Sequence, residues 1–70
     1  MIYCQAKDMF GKAADAVIRL ADNAFIPFDP ANTDYQTFKA LINADEAQLE
    51  DADGNLMTAE EAKAFVATLP

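Results

Sequence analysis

The sequence predicts an α+β fold, a small antiparallel β-meander with two short capped α-helices. The turn signal Asp22-Asn23 separates two short apolar runs. Two further segments, which begin at Thr33 and Thr58, have the form of a capping box, in which a Thr is followed three residues later by Gln or Glu. At 70 residues the chain has room for one domain, residues 1–70.

The first predicted strand lies near the start of the chain. Apolar and more polar residues alternate over residues 2–7, which is the pattern of a strand with one buried face. Gly11-Lys12 is the natural break after this strand. Residues 13–16 either extend the next strand or form a short helical turn, because their periodicity fits both. We expect the first strand to pair with residues 17–20 on the side away from Pro27, which gives a three-stranded antiparallel meander.

The second and third strands are predicted to form a hairpin around Asp22-Asn23. Asn and Asp tolerate the positive φ that a two-residue hairpin turn requires. With this turn Leu20 lies opposite Phe25. Ile18 lies opposite Pro27, at a position where the missing proline N–H points away from the neighbouring strand. Pro27 therefore predicts an edge strand.

Both faces of the predicted hairpin are apolar, because side chains alternate across a sheet. One face carries Ile18, Leu20, Phe25 and Pro27. The other carries Val17, Ile26 and Phe28 with Arg19. A sheet that is apolar on both sides needs two covering layers, and a partner can supply one of them. We expect the edge and the second face to bind a partner through Val17, Ile26, Pro27 and Phe28.

Two helices are predicted from apolar residues that recur at helical spacing. The first begins at the capping box of residues 33–36 and presents an apolar stripe made of Tyr35, Phe38, Leu41 and Ile42. The second begins at the capping box of residues 58–61 and presents a stripe made of Ala62, Phe65, Val66 and Leu69. Between the helices, Leu56-Met57 is expected to pair back onto Leu49 across the turn at Gly54.

The net charge of −7 is concentrated in the second part of the chain. Residues 1–28 hold three basic and three acidic side chains, whereas residues 29–70 hold two basic and nine acidic ones. Such a surface repels nucleic acid and anionic membranes, and it attracts a basic partner. No apolar run is long enough to span a membrane and no apolar segment follows a basic start, so neither a transmembrane nor a secretory segment is expected.

Few side chains in this sequence belong to the types that carry catalysis. There is no His and only one Cys, which excludes His-based catalysis, a Cys/His metal site and an internal disulfide within one chain. We expect Cys4 to be a small buried apolar residue. Asp51, Asp53 and Asn55 match the first ligand positions of a calcium loop, but the twelfth position is Ala62 where a bidentate carboxylate is required. No catalytic residue, metal site or cofactor is therefore predicted.

The segment between the third strand and the first helix points to a family. Residues 26–35, with the sequence IPFDPANTDY, are followed by Phe38. They resemble a segment of the form IPxDPxNxDYxxY/F in small proteins encoded in the tail modules of tailed bacteriophages and prophages. The resemblance extends over about residues 17–42. It implies a virion component or assembly factor near the tail, fibre or baseplate, and it indicates no catalytic residue.

The predicted function is that of a non-enzymatic phage structural or assembly protein. It binds another tail or virion component, or further copies of itself, through a face of the β-hairpin, in the virion or in the host cytoplasm. The alternative is a small acidic inhibitor or regulatory protein that occupies a basic site on a host protein, because one half of the chain holds most of the negative charge. Neither function involves nucleic acid or membrane as a partner.

Overall fold

The chain forms a four-stranded mixed sheet with two α-helices packed on one face. The computed structural model describes residues 1–70. In chain order the elements are β1 (Ile2–Lys7), β2 (Ala13–Arg19), β3 (Ala24–Pro27), α1 (Thr33–Asn43), β4 (Gln48–Glu50) and α2 (Ala59–Ala67). The strand order across the sheet is β3-β2-β1-β4. The predicted α+β class is confirmed.

The first three strands form the predicted antiparallel meander, and β4 adds a parallel strand that was not predicted. β4 places Gln48 opposite Ile2 and Glu50 opposite Cys4. Between β3 and β4 the chain passes from one edge of the sheet to the other, and α1 makes this crossing. Parallel neighbours require such a crossover connection, which a hairpin cannot provide.

The hairpin between β2 and β3 differs in register from the prediction. Ile18 lies opposite Phe25, where Pro27 was expected, and Ala16 lies opposite Pro27. The turn is longer than two residues, because Arg19 lies opposite Ala24. Arg19 donates from Nε and Nη2 to the Asp22 carboxylate in this turn, at 3.0 and 2.8 Å. Asn23 has the positive φ that was expected, at 57°.

The register error leaves the assignment of side chains to faces unchanged. Pairing is shifted by two residues, and only a shift of one moves a side chain to the other face. Phe28 N–H donates to the Asp15 carbonyl oxygen at 2.9 Å, so the neighbouring pair of Ala16 and Pro27 is a non-hydrogen-bonded one. Pro27 therefore lies on an edge strand with its missing N–H facing outwards, as predicted.

The two helices differ in how well their starts were predicted. At α1 the capping residue is Asn32, whose Oδ1 accepts a hydrogen bond from Tyr35 N–H at 3.1 Å, and the predicted cap at Thr33 is wrong by one residue. Gln36 donates from Nε2 to the Pro30 carbonyl oxygen at 2.8 Å, which removes it from a capping box. At α2 the predicted box is confirmed, because Thr58 and Glu61 exchange both hydrogen bonds.

The core lies between the helices and one face of the sheet. Its buried members are Tyr3, Val17, Ile26, Tyr35, Phe38, Ile42, Leu49, Ala62 and Val66. Five of them belong to the predicted helical stripes: Tyr35, Phe38 and Ile42 in α1, and Ala62 and Val66 in α2. The rings of Tyr3 and Phe38 meet edge to face with their centroids 4.9 Å apart, which ties α1 to a central strand. Neither helix has the length and apolar composition needed to cross a membrane.

Replacing Phe38 with Ala should lower the free energy of unfolding by about 3–5 kcal/mol, because the ring is fully buried and the cavity cannot fill. Chemical denaturation followed by circular dichroism measures this loss. Phe25→Ala is the matched control, since Phe25 is exposed and its truncation should change stability by less than about 0.5 kcal/mol. Equal stability of the two variants would contradict the placement of α1 over the sheet.

Candidate functional site

The residues that were predicted to bind a partner do not lie on a free surface. Val17 and Ile26 are completely buried beneath the helices, and Phe28 is half-buried in the same layer. The ring of Phe28 contacts Phe65 at 6.1 Å between centroids, so it bridges the sheet and α2. Of the four predicted residues only Pro27 is exposed. The expectation of a free face at Val17, Ile26 and Phe28 is wrong, because α1 crosses the sheet on that side.

The opposite side of the sheet carries no helix, and we refer to it as the open face. It is lined by Ile2, Cys4, Ile18, Leu20, Phe25 and Pro27. The pairing places Phe25, Ile18 and Cys4 side by side in one row across three strands. Leu20 N–H donates to the Ile2 carbonyl oxygen at 3.0 Å, so these two residues form a second row beside the first. The open face is thus a continuous apolar surface.

Several side chains of the open face are in contact with solvent. Phe25 is 64% exposed, Leu20 41% and Ile2 37%. Scattered exposed apolar residues are normal on a protein surface, but these side chains lie next to each other on neighbouring strands and form a patch. Alternation in the sequence had identified this set of residues. It could not show which set the helices cover.

Cys4 is half-buried on the open face and takes part in local hydrogen bonding. Its Sγ donates to the Asp51 carbonyl oxygen at 3.4 Å. Burial raises the pKa of the Cys4 thiol, and the nearby charges of Glu50 and Asp51 raise it further. The thiol is therefore protonated at neutral pH, and a protonated thiol is a poor nucleophile.

A second exposed apolar feature is the loop between β1 and β2. Its residues Met9 and Phe10, which we call the hairpin tip, are 90% and 80% exposed. The Asp8 carboxylate holds the loop, since its Oδ1 accepts hydrogen bonds from Phe10 N–H at 2.8 Å and from Lys12 N–H at 3.0 Å. Gly11 has φ of 77°, a conformation that favours glycine. This exposed loop was not predicted from the sequence. Two large apolar residues, Met9 and Phe10, directly before the break at Gly11-Lys12 are the signal that indicates it.

The loop of residues 51–55 repeats the hydrogen bonds of the hairpin-tip loop. Oδ1 of Asp51 accepts from Asp53 N–H and from Asn55 N–H, each at 2.9 Å. Gly54 follows Asp51 at the same distance as Gly11 follows Asp8, and its φ is 84°. The two loops are therefore the same turn, in which an Asp closes the backbone. The residues that suggested calcium ligands have this structural role, and no group of three or more carboxylate, Cys or His side chains is placed to hold a metal ion.

A partly open cavity of about 160 Å³ lies between α1, β4 and the start of α2. Its apolar lining consists of Ile42, Ala47, Leu49, Met57, Ala59 and Ala62. Asp45, Gln48 and Thr58 supply the polar lining. Asp45 is held in place by an ion pair with Lys63 at 2.9 Å and has a positive φ of 59° just after α1. The cavity offers a small volume with both apolar and polar walls, and the ion pair of Asp45 and Lys63 lies at its margin.

The stability contributed by Asp51 should depend on pH. The hydrogen bond from Asn55 N–H, supported by that from Asp53 N–H, holds the pKa of Asp51 below its usual value. This contribution is complete above the unfolded pKa of about 3.9 and is lost as the pH falls through the lower folded pKa. Asp51→Asn keeps an acceptor but does not titrate, so its melting temperature should fall less steeply than that of the wild type below about pH 4.

Melting curves recorded between neutral and strongly acidic pH test this expectation. Glu46→Gln removes an exposed carboxylate elsewhere and serves as the control. If Asp51→Asn and the wild type lose stability in parallel on acidification, the carboxylate does not have the role described.

Calcium should not bind the loop of residues 51–55 with useful affinity. The Asp51 oxygen that a cation would need already accepts two backbone hydrogen bonds. A titration followed by amide NMR should show small, fast-exchange shifts that do not saturate below about 1 mM, the weak limit of dedicated calcium modules. Saturation at lower concentration would show that the loop rearranges into a cation site.

Comparisons with families of known proteins, with curated proteins and with solved structures gave no match to this chain. The resemblance of residues 26–35 to phage tail-module proteins therefore stays a prediction. In the structure these residues connect β3 to α1, and the prolines and Asn32 end the strand and cap the helix. They shape the fold, and of them only Pro27 lies on the open face.

Proposed function

We propose that this chain is a non-enzymatic binding module that attaches to another protein through the open face of its sheet. The observation that carries the proposal is the continuous apolar surface formed by Ile2, Ile18, Leu20 and Phe25 on the side that no helix covers. Complete burial of one large apolar side chain is worth about 1.5–3 kcal/mol. Several such residues in adjacent rows provide enough driving force for a specific contact.

The edges of the sheet are less suited to binding than the open face. At β3 the outward-facing backbone position of residue 27 is a proline, which has no N–H to offer an added strand. At the other edge β4 has only three residues, and Met57 N–H already donates to the Leu49 carbonyl oxygen at 2.8 Å. A partner therefore packs face-on against side chains, and does not extend the sheet.

The biological setting that we propose is the tail of a bacteriophage, either in the particle or during its assembly. This part of the proposal rests on the resemblance of residues 26–35 and on the small size of the module. A chain of 70 residues with one uncovered face gains stability when that face is buried, as happens in a permanent assembly. The partner is then a virion protein with an apolar surface of similar extent.

The distribution of charge favours a second candidate, an acidic inhibitor of a basic host protein. Nine of the twelve carboxylates lie in residues 29–70. Glu60 and Glu61 begin α2 on the exposed surface. An electrostatic complex of this kind weakens steeply with salt, whereas apolar packing at the open face does not. The salt dependence of the complex thus separates the two candidates.

Phe25→Glu should abolish binding to the partner and leave the fold intact, because Phe25 is the most exposed member of the first row and lies at its β3 end. Thr37→Glu, which adds the same charge on the exposed side of α1, is the control and should bind normally. Tagged variants produced in infected or induced cells can be tested for incorporation into purified particles by mass spectrometry.

The buried neighbour of Phe25 gives a second control. Ile26→Glu should unfold the chain, since it places a charge in the core. Particles that incorporate Phe25→Glu as well as the wild type would exclude the open face as the binding surface. A salt-sensitive complex with a basic host protein that is lost with Glu60→Lys, but not with Phe25→Glu, would instead support the acidic inhibitor.

A further inference from the structure

We infer that copies of this chain associate head to tail, with Phe10 at the hairpin tip of one copy inserted into the cavity between α1, β4 and α2 of the next. The contact does not use the two rows of side chains on the open face. It therefore adds a self-association surface to the binding surface proposed above, and each can fail without the other.

The hairpin tip is built to present Phe10 rather than to bury it. The ring is 80% exposed although Phe is among the residues most often found inside proteins. Two hydrogen bonds to Asp8 and the positive φ of Gly11 hold the loop in one conformation. Little conformational entropy is lost when such a rigid loop binds, so the exposed ring can contribute to affinity despite its small contact area.

The cavity matches this ring in size. A cavity of about 150 Å³ with apolar walls is known to bind benzene, which is the ring of a Phe side chain. The cavity here measures about 160 Å³, and six of the nine residues that line it are apolar. Three of them are Ala, which leaves the space open, and Met57 is a flexible side chain that adapts to what enters.

The topology prevents the hairpin tip from reaching the cavity of its own chain. Gln48 in the cavity wall pairs with Ile2, at the start of β1. The hairpin tip follows Lys7, at the end of β1. Five residue steps along a strand amount to about 17 Å. The tip and the cavity thus lie at opposite ends of the molecule, and only a second copy can join them.

Charge favours the same arrangement. Lys12 lies just after the tip and takes part in none of the ion pairs of the chain, whereas Lys7, before the tip, pairs with Asp53 at 3.1 Å. At the cavity Asp45 pairs with Lys63, but Glu46 next to it is exposed and takes part in no ion pair. The Lys12 ammonium and the Glu46 carboxylate can therefore attract each other during encounter.

The tip and the cavity are different surfaces. A dimer joined by one such contact therefore still has one unoccupied cavity and one tip that is not inserted. Such a heterologous contact grows into a ring when the rotation closes, and into a filament when it does not. One inserted side chain makes a weak contact, in the class of small transient interfaces. Repetition along an array, or attachment of each copy to a common partner, raises the effective affinity without any new contact.

Sedimentation velocity over a concentration series up to about 1 mM tests the inference, since a contact of this size is expected near that range. The average mass of the wild type should rise with concentration above the 7.6 kDa monomer. Phe10→Ser should weaken association roughly 10- to 100-fold. Phe25→Ser is the matched control, because it removes an exposed Phe from the open face and should leave this association unchanged.

Substitutions at the cavity test the same contact from the surface that receives Phe10. Ala59→Trp places a large ring at the exposed margin of the cavity and should weaken association as Phe10→Ser does, whereas Ala64→Trp on the exposed side of α2 should not. Ala59→Trp retains its tip and Phe10→Ser retains its cavity. An equimolar mixture of the two should therefore form a dimer that grows no further.

Circular dichroism spectra that match the wild type confirm that each variant is folded. A wild type that stays monomeric throughout the concentration series overturns the inference. So does association that survives Phe10→Ser and is lost with Phe25→Ser, because the copies then meet through the open face. A mixture of Ala59→Trp and Phe10→Ser that stays monomeric, with both variants folded and a wild type that associates, also overturns it.

Discussion

The edge-to-face contact between Tyr3 and Phe38 joins a central strand to the helix that crosses the sheet, and the rest of the structure depends on it. Tyr3 lies in β1, between the neighbours β2 and β4. With Phe38 seated against it, α1 runs over the sheet and delivers the chain to the edge where β4 pairs. The helix α2 then packs beside α1 on the same side. The two short helices cover one face of the four-stranded sheet, and the other face remains uncovered.

Local features of the fold were predictable from the sequence, and non-local ones were not. The box at Thr58 and Glu61, the positive φ of Asn23 and the apolar stripe through Phe38 depend on residues within one or two turns of each other. Pairing of β4 with β1 joins residues more than forty positions apart, and a strand of three residues carries almost no periodic signal. β4 forms at this edge because α1 ends beside it, and the position of α1 depends on tertiary packing.

The candidate site likewise combines local features that could be predicted from the sequence with non-local features that could not. Alternation separated the hairpin residues into two sets correctly, and this separation survived a register error of two residues. Both sets are apolar, so the sequence did not decide which of them the helices cover. In the structure Arg19 lies at the end of the covered face and forms ion pairs with Asp22 at 2.8 Å and Asp34 at 3.7 Å, which link the hairpin loop to the start of α1. The cavity could not be predicted, because it exists only where three elements meet.

With the open face as the proposed binding surface, the one-sided covering of the sheet separates stability from recognition along each strand. In β2 the side chain of Val17 belongs to the core, while that of the next residue, Ile18, belongs to the open face. The same alternation holds in β3 between Ile26 and Phe25. Mutations can accumulate at the exposed positions of this face without loss of the fold, whereas Ala16, on the same face as Ile18, is buried. A lineage of such proteins can therefore change the partner that it recognises while its architecture stays constant, and two relatives can differ most in sequence at the residues that matter most for what they bind.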